Sequence, residues 1–459
     1  MLFRLLLVFF LWYQAPYVLG QKPIFQKGDR VCFVGNSITN NGEFHHNILL
    51  YYVTRFPNEP LHFFNCGISG DVISGIFNRL NDDILVHTPT HVVIMIGMND
   101  VNRGLYSEKP TTNADTLQRR AAALEKYRIG LDSLVRVFLR NNIRVILQKP
   151  SIYDQTAVLQ TPNNWGVNDA LKECADYIES LSLKYELDVV DYWQILSQLN
   201  KQLQSQNPSA TIIGNDRVHP TATGHLVMAY QFLKTTQVPP QNFAQIVCSK
   251  NAKYSKKKSQ YCAITTVEIK RDFKRLMVQE YALPYPTTDE QKEALALVPL
   301  EEAFNYRYFK VEKLKKGFYT FKIDTTVVGV FSHIDLRKGV NLSTQRYIPQ
   351  YQQALAVKKA LLERHKTEAN LRTIKFVEYG FLKDFKNKND LEAVKKYLDE
   401  LYAAKLSHNI YFKNQFDKYI AIKPHEERLR LKVNAELLQA YELAQPKKHL
   451  FVVEKIISK

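Results

Sequence analysis

A serine, an aspartate and a histidine have the types and spacing needed for attack on an acyl group. Ser37 directly follows an apolar run, and Asp216 and His219 stand three residues apart before Pro220. A serine hydroxyl is a weak nucleophile until a histidine takes its proton, and the histidine needs a carboxylate to fix its tautomer and stabilise the imidazolium. On a tight turn Asp216 and His219 can bond to each other, and we expect Pro220 to stiffen the first turn of the following helix. These residues predict a nucleophilic triad.

Acyl transfer also requires hydrogen-bond donors for the oxyanion that forms when the serine attacks. Three candidates follow predicted strands: the N–H of Ser37, the N–H of Gly70 in "GISGD" and the side-chain amide of Asn99 in "GMND". We interpret the glycine at position 70 as one that keeps a side chain from crowding its own N–H. The three donors predict an oxyanion hole beside the serine.

Each of these residues also has a simpler interpretation. Serine is a favoured helix N-cap, so Ser37 could only cap a helix. Gly70 could only permit a left-handed turn, and Asn99 with the following aspartate could form a plain turn. His219 could be a surface histidine before a proline. The order and placement of all the residues, each at the end of a predicted element, favour the catalytic interpretation.

The elements that would bring these residues together form an alternating pattern of strands and helices. Short apolar runs predict strands at residues 30–34, 61–65, 91–96, 143–149 and 187–193. Runs that are apolar on both faces suit a parallel sheet covered on both sides, and segments with helical periodicity separate them. The pattern predicts a three-layer α/β domain whose site lies at the carboxyl ends of its strands.

The pattern changes after residue 243. Residues 263–332 contain strand-like pieces that predict a small antiparallel β unit, and the chain beyond Pro349 has helical periodicity for almost its whole length before a last apolar run at 449–458. We predict four segments: a signal peptide at 1–20, the α/β domain with the candidate triad at 21–243, a small β unit at 244–345 and a helical extension at 346–459.

The N-terminus has the features of an export signal. Arg4 precedes an apolar run from Leu5 to Tyr13, and Gly20 precedes a cleavage point. The run is short for a bilayer span, although an uncleaved membrane anchor is the alternative. We expect an exported protein, periplasmic or secreted, with no stable membrane insertion after signal cleavage.

Cysteine content and charge limit the possible partners. The five cysteines match no zinc or CxxC spacing; Cys32 and Cys66 are expected in the core, and Cys248 and Cys262 could close a lysine-rich loop as a disulfide in an oxidising compartment. Residues 1–247 carry 21 Lys and Arg against 20 Asp and Glu, whereas residues 248–459 carry 41 against 25. Such a basic half could attract acidic polysaccharide, anionic membrane or nucleic acid. Lysines on solvated helix faces that keep the protein soluble are the stronger explanation, and export argues against a nucleic-acid partner.

The four blocks "GNSIT", "GISGD", "GMND" and "DRVHP" resemble those of the SGNH/GDSL hydrolase superfamily, over roughly residues 28–235. The resemblance implies a flavodoxin-like α/β fold, Ser37 as nucleophile, Gly70 and Asn99 as oxyanion donors, and Asp216 and His219 as the rest of the triad. It also implies no metal and no organic cofactor. The residue before the nucleophile is usually Asp in this superfamily, and here it is Asn36; the amide keeps the hydrogen-bonding ability of the turn but removes a charge.

The C-terminal half resembles the extension of some exported bacterial SGNH hydrolases that are associated with carbohydrate de-esterification. It would act either as a wall of the substrate site or as a stabilising shell. We predict a serine esterase that removes a short acyl group, above all acetyl, from an extracellular or periplasmic carbohydrate; its substrate is a glycan ester or a small-molecule ester. The alternatives are a lysophospholipase or thioesterase, and a catalytically silent glycan-binding protein.

Overall fold

The computed structural model describes residues 23–236, 244–270, 272–343 and 345–456. The predicted signal peptide at 1–20 lies outside these residues. The strands are β1 Arg30–Gly35, β2 His62–Gly67, β3 His91–Met95, β4 Arg144–Lys149, β5 Asp188–Asp191, β6 Gln245–Cys248, β7 Cys262–Ile269, β8 Phe273–Glu280, β9 Tyr308–Val311, β10 Phe318–Ile323, β11 Thr326–Ser332, β12 Val340–Asn341 and β13 Lys448–Lys455.

The α-helices alternate with the strands in the first half of the chain and dominate the end of it. They are α1 Ser37–Asn41, α2 Glu43–Arg55, α3 Ile73–Asn78, α4 Ala114–Arg140, α5 Val167–Tyr185, α6 Tyr192–Gln204, α7 Ala222–Thr235, α8 Ala252–Lys258, α9 Lys292–Leu297, α10 Leu300–Phe304, α11 His333–Lys338, α12 Pro349–Gly380, α13 Leu391–Leu401, α14 Ile410–Ile422 and α15 Glu426–Leu443.

Strands β1 to β5 form a parallel sheet in the order β2-β1-β3-β4-β5. Side chains of β1 alternate between the two faces: Val31 and Phe33 pack with α2, α6 and α7, whereas Cys32 and Val34 pack with α3, α4 and α5. Both faces are buried because each strand is followed by a helix that returns over the sheet. The predicted three-layer α/β fold is confirmed.

The fifth strand is shorter than the predicted run at 187–193. The side chain of Asp191 accepts a hydrogen bond from the N–H of Gln194 at 2.8 Å and caps α6, so the helix begins at Tyr192. An N-cap of this kind ends the strand although the apolar pattern continues.

The second half of the chain contains an antiparallel sheet in the order β11-β10-β13-β8-β7 and a smaller sheet in the order β12-β9-β6. The apolar run at the C-terminus, placed in the helical extension by the sequence pattern, forms the central strand β13 between β10 and β8. Its residues Phe451 and Val453 are buried on one face, the period of two that a strand requires. The helical extension therefore ends at Leu443, and the chain returns to the β unit.

Cys248 and Cys262 are free thiols, so the suggested disulfide is not formed. The Sγ of Cys262 lies 3.8 Å from the carbonyl oxygen of Gln245, at the start of β6. Cys248 ends the same strand, which places it about 10 Å from Gln245, beyond the Cα separation of about 7 Å that a disulfide spans. Cys32 and Cys66 are fully buried, as expected.

The long helix α12 lies along the edge strand β2. The guanidinium of Arg364 donates to the carbonyl of Phe63 at 2.5 Å, the carboxylate of Glu368 accepts from the N–H of Asn65 at 3.1 Å, and Arg372 donates to the carbonyl of Gly67 at 3.0 Å. Helix residues four apart rise about 6 Å and strand residues two apart rise about 6.6 Å. The two spacings nearly match, so each of three successive turns binds one backbone group of the edge.

Candidate active site

Ser37 is the first residue of α1, immediately beyond the central strand β1. The N-cap of that helix is Asn36, whose side-chain oxygen accepts from the N–H of Ile38 at 3.1 Å. The capping interpretation of Ser37 is therefore wrong, because the preceding residue caps the helix. Asn36 makes this bond through its side-chain oxygen, as an aspartate could, and the turn is preserved.

The imidazole of His219 connects the serine to the aspartate. Its Nε2 lies 2.7 Å from the Oγ of Ser37, and its Nδ1 lies 2.5 Å from the Oδ2 of Asp216. Because a carboxylate only accepts, Nδ1 carries the proton and Nε2 is free to accept from the serine hydroxyl. Ser37 and His219 are 182 positions apart in the sequence, and Asp216 and His219 are three apart. The structure thus brings all three residues together.

The electrostatics of Asp216 favour its charged form. Burial would raise the pKa of this carboxyl, but hydrogen bonds from the His219 ring and from the N–H groups of His219 and Val218 outweigh burial and lower it. The two N–H groups donate to Oδ1, each at 3.0 Å. An ionised Asp216 holds the ring in one tautomer and stabilises the imidazolium when it forms.

Arg217, between the aspartate and the histidine, anchors the turn that carries them. It has a positive φ of 65° and is 3% exposed. Its guanidinium donates to the carbonyls of Asp154 at 2.9 Å, Ala157 at 3.0 Å and Thr161 at 3.0 Å. We did not identify this residue from the sequence, because a single arginine between two site residues carries no signal of what it contacts.

Pro220 does not lie in a helix, contrary to our expectation. Helix α7 begins at Ala222, and Thr221 caps it by accepting from the N–H of Gly224 at 3.3 Å. Pro220 instead forms an isolated bridge with Ile213. The turn is held by this bridge and by the carbonyl of His219, which accepts from the N–H of Gly214 at 2.7 Å.

Gly70 follows β2 and Asn99 follows β3, so they lie on either side of the strand that ends before Ser37. The Gly70 backbone has a φ of +79°, and a Cβ there would meet no atom within 4 Å. Our steric explanation of this glycine is wrong; its left-handed conformation is what favours glycine. Within the described ranges, no protein acceptor binds the N–H of Ser37 or of Gly70.

The amide of Asn99 is fixed by two neighbours. Its Nδ2 donates to the carbonyl of Asp71 at 2.9 Å, and its oxygen accepts from the guanidinium of Arg103 at 3.3 Å. One N–H of the amide remains for another acceptor. Burial lowers the pKa of Arg103 below its usual value, and the nearby carboxylate of Asp216 offsets this only in part. Arg103 and Asp71 belong to the site although the sequence does not single them out.

A cleft of about 850 Å³ opens beside Asn99, between α3 and α4. Its walls are mainly apolar and include Val72, Phe77, Tyr127 and Ile129. Asp100, also in the wall, has a pKa raised to about 6 by burial. Ser37, Gly70 and His219 are not among its lining residues, so the cleft adjoins the candidate site at Asn99; its volume exceeds that of an acetyl group.

Among the residues that the structure describes, no cluster of three or more His, Cys, Asp or Glu side chains could hold a metal ion. In the same part of the chain, no helix is both long and apolar enough to cross a membrane.

Comparison with known proteins connects this geometry to ester hydrolysis. Residues 33–227 match the model of the GDSL-like lipase/acylhydrolase family. An acetylxylan esterase from Geobacillus stearothermophilus is 26% identical over 225 residues, which are 45% of this chain and 93% of that protein. The crystal structure of an acetylxylan esterase from the same organism covers 46% of this chain and 94% of its own, with 22% identity and a TM-score of 0.37.

A solved structure of a gut microbial diltiazem-metabolizing enzyme resembles the whole described architecture. It covers 95% of this chain and 99% of its own chain, with 29% identity and a TM-score of 0.85. The likeness therefore includes the β unit and the helical extension as well as the parallel sheet.

Proposed function

We propose that this chain, an ester-bond hydrolase with a GDSL-like lipase/acylhydrolase domain at residues 33–227, uses Ser37, His219 and Asp216 to hydrolyse an acetylated carbohydrate. The observation that carries the proposal is the continuous hydrogen-bonded path from the Ser37 hydroxyl through His219 to Asp216, at 2.7 and 2.5 Å.

In the first half of the reaction, the Ser37 oxygen attacks the ester carbonyl while its proton passes to Nε2 of His219. The tetrahedral oxyanion accepts hydrogen bonds from the N–H groups of Ser37 and Gly70 and from the amide of Asn99. When the intermediate collapses, the alcohol leaves with the proton from His219 and the acyl group stays on Ser37. Asp216 stabilises the imidazolium in between.

In the second half, a water molecule gives a proton to His219 and attacks the acyl-enzyme. The second tetrahedral intermediate uses the same donors, and its collapse releases the acid and returns the proton to Ser37. The chain's own residues supply every proton transfer in this scheme.

The acetylated carbohydrate is supported by the acetylxylan esterase relative, and an exported location, periplasmic or secreted, fits such a polymer. The apolar cleft beside Asn99 favours a second candidate, an acylhydrolase for long acyl chains such as a lysophospholipase or thioesterase. A catalytically silent glycan-binding protein is the third candidate.

Hydrolysis of p-nitrophenyl acetate, butyrate and a long-chain ester distinguishes these candidates when wild-type and Ser37→Ala proteins are assayed together. We expect acetate to be preferred and Ser37→Ala to lose most turnover, as should His219→Ala, because the triad acts as a unit. Asn99→Ala should lower kcat by about 10²- to 10³-fold. Acetylated xylo-oligosaccharides and diltiazem would then be compared as substrates.

Three other results of these assays would change the assignment. A preference for the long chain would move the assignment to a lipid or thioester substrate. Wild-type rates in Ser37→Ala would refute the proposed nucleophile. Absence of turnover, together with no labelling of Ser37 by a fluorophosphonate probe, would favour the binding protein.

A further inference from the structure

A chain of buried ion pairs runs from the helical extension to the loop that carries Gly70. The guanidinium of Arg372 in α12 binds both carboxylate oxygens of Asp83, at 2.7 and 2.8 Å. Asp83 also accepts from Arg79 at 2.7 Å, and Arg79 donates to Asp71 at 2.9 Å. The side chains are 5%, 2%, 1% and 8% exposed from Arg372 to Asp71. Such pairs are screened little by solvent or salt.

This chain of ion pairs ends at two of the three candidate oxyanion donors, Gly70 and Asn99. Asp71 is the residue after Gly70, and its carbonyl accepts from the amide of Asn99 at 2.9 Å. At the other end of the same loop, Arg372 donates to the carbonyl of Gly67 at 3.0 Å. The loop that contains Gly70 is therefore held from both sides by contacts that begin at one arginine of the extension.

The extension also contacts the residues between these two ends. Ile68 is 5% exposed and belongs to the apolar cluster of the extension, together with Ile374, Val377 and Phe416. Ser69 accepts from the side chain of Asn40 at 3.2 Å. Tyr411, at the start of α14, lies near enough for the Ser69 hydroxyl to lower the pKa of its phenol, which burial raises. The turn that gives Gly70 its left-handed backbone is thus enclosed by α12 and α14.

We propose that Arg372 is a positioning residue of the hydrolysis, which holds the Gly70 N–H and the Asn99 amide in place through Asp83, Arg79 and Asp71. The inference rests on the proposed function and assigns the extension a role in catalysis as well as in packing. Oxyanion donors contribute most when they are preorganised, and a misplacement of about 1 Å can cost roughly 10² in rate.

Arginine is required at this position for a geometric reason. Its planar guanidinium reaches two oxygens of Asp83 and the carbonyl of Gly67 at the same time, whereas a lysine ammonium is a single point on a flexible stem. Arg372→Lys keeps the buried charge and loses this fixed geometry.

Arg364→Lys is the matched control. Arg364 lies two turns earlier on α12, is 4% exposed and binds the edge of β2 through the carbonyl of Phe63. It pairs with Glu368 and not with the Asp83 chain. Both variants weaken the cover of the same strand, but only Arg372→Lys disturbs the loop that carries Gly70.

The experiment measures kcat and KM for p-nitrophenyl acetate, together with inhibition by 2,2,2-trifluoroacetophenone, a ketone that forms a tetrahedral adduct with a serine. We expect Arg372→Lys to lower kcat by about 10²-fold, the order expected from displaced donors, with KM unchanged and a parallel loss of ketone affinity. Arg364→Lys should keep kcat and ketone affinity near wild type.

Equal losses in the two variants would overturn the inference, because they would indicate a general effect of the sheet edge. If Arg372→Lys keeps the wild-type kcat and ketone affinity while Ser37→Ala is inactive, the role of Arg372 is overturned and the proposed function still holds. Full turnover in Ser37→Ala would instead refute the proposed function.

Tyr411→Phe keeps the proposal testable if Arg372→Lys does not fold. Tyr411 is 42% exposed, so loss of its hydroxyl should leave the fold intact. We expect kcat and ketone affinity to fall together by a few fold, because the substitution removes the hydroxyl that neighbours Ser69, next to Gly70. The control is Tyr402→Phe, whose hydroxyl donates to Ser407 within the extension at 3.4 Å. An equal response of the two tyrosine variants would contradict the proposal.

Discussion

The two edges of the parallel sheet are protected in different ways. Strand β5 is four residues long and is flanked by charged pairs near its ends, Arg144 with Asp188 at 2.7 Å and Lys149 with Asp191 at 2.7 Å. Strand β2 is six residues long and is covered by α12, whose side chains bind its backbone groups at positions 63, 65 and 67. Short length and charge are sufficient at one edge, whereas the other requires a second part of the chain.

The difference follows from where the two strands lead. Strand β5 continues directly into α6, which contributes no residue to the triad. Strand β2 continues into the loop of Gly70, beside Ser37. The extension therefore covers the edge that leads to the candidate oxyanion hole, and stability and catalysis depend on the same contacts there.

Of the changes that test this difference between the edges, removal of the extension should have the largest effect. A chain that ends before Ser343 should expose the apolar surface under α12 and the backbone of β2, and it also loses the central strand β13. We expect most of the truncated protein to be insoluble and inactive, as measured by soluble yield and by turnover of p-nitrophenyl acetate. A soluble, fully active truncation would show that the extension is dispensable.

The next effect is expected for Glu368→Ala. The substitution leaves the buried guanidinium of Arg364 and the N–H of Asn65 without their partner. Loss of one member of a buried pair costs about 3–5 kcal/mol, and urea unfolding monitored by circular dichroism measures it. A change below about 1 kcal/mol, the scale of an exposed pair, would contradict the structural role of this edge.

Low pH should destabilise the fold through His45, a buried histidine of helix α2. Burial lowers the pKa of His45 from 6.5 to about 4, and the ring lies 3.1 Å from the carbonyl of Thr39. Because the folded-state pKa is depressed, the contribution of His45 is complete above pH 6.5 and is lost as the pH falls toward 4. The resulting loss in the free energy of unfolding approaches about 3 kcal/mol.

The free energy of unfolding at pH 7, 6 and 5 tests this expectation, with His45→Gln as the variant that should reduce the acid loss. The β5 edge provides the contrast. Burial lowers the pKa of Lys149, but the hydrogen bonds that its ammonium donates to Asp191 and Glu179 outweigh burial and raise it. Because the folded-state pKa of Lys149 is raised, its contribution to the free energy of unfolding is present at every pH below the usual lysine pKa of 10.5. Acidification from pH 7 to 5 therefore does not remove it. Stability independent of pH in this range would refute the role of His45.

The smallest effect is expected for Asp188→Ala at the opposite edge. The Arg144 and Asp188 side chains are 53% and 46% exposed, and exposed pairs contribute about 0–1 kcal/mol. The same urea assay should give a change within that range and turnover equal to wild type. A loss as large as that of Glu368→Ala would remove the distinction between the edges.

The sequence is sufficient to predict the alternation of strands and helices and the residues of the candidate triad. Short apolar runs followed by Ser37, Gly70 and Asn99 carry this information locally, because the carboxyl ends of parallel strands meet at one edge of the sheet. The blocks that resemble the superfamily lie at these same positions. The last apolar run was harder to assign, because a short run of this kind is compatible with a helix or a strand, and only its neighbours β8 and β10 decide.

Other features depend on contacts between distant residues. Arg372 lies 289 positions from Asp83, and Glu368 lies 303 from Asn65. In the sequence these residues are ordinary charges on an amphipathic helix, and nothing local distinguishes Arg372 from an exposed arginine. The sequence by itself determined the chemistry and the sheet, since both follow from residue types and local periodicity. Only the tertiary structure decided which buried charges hold the Gly70 loop, because an ion pair in the interior depends on where distant helices pack.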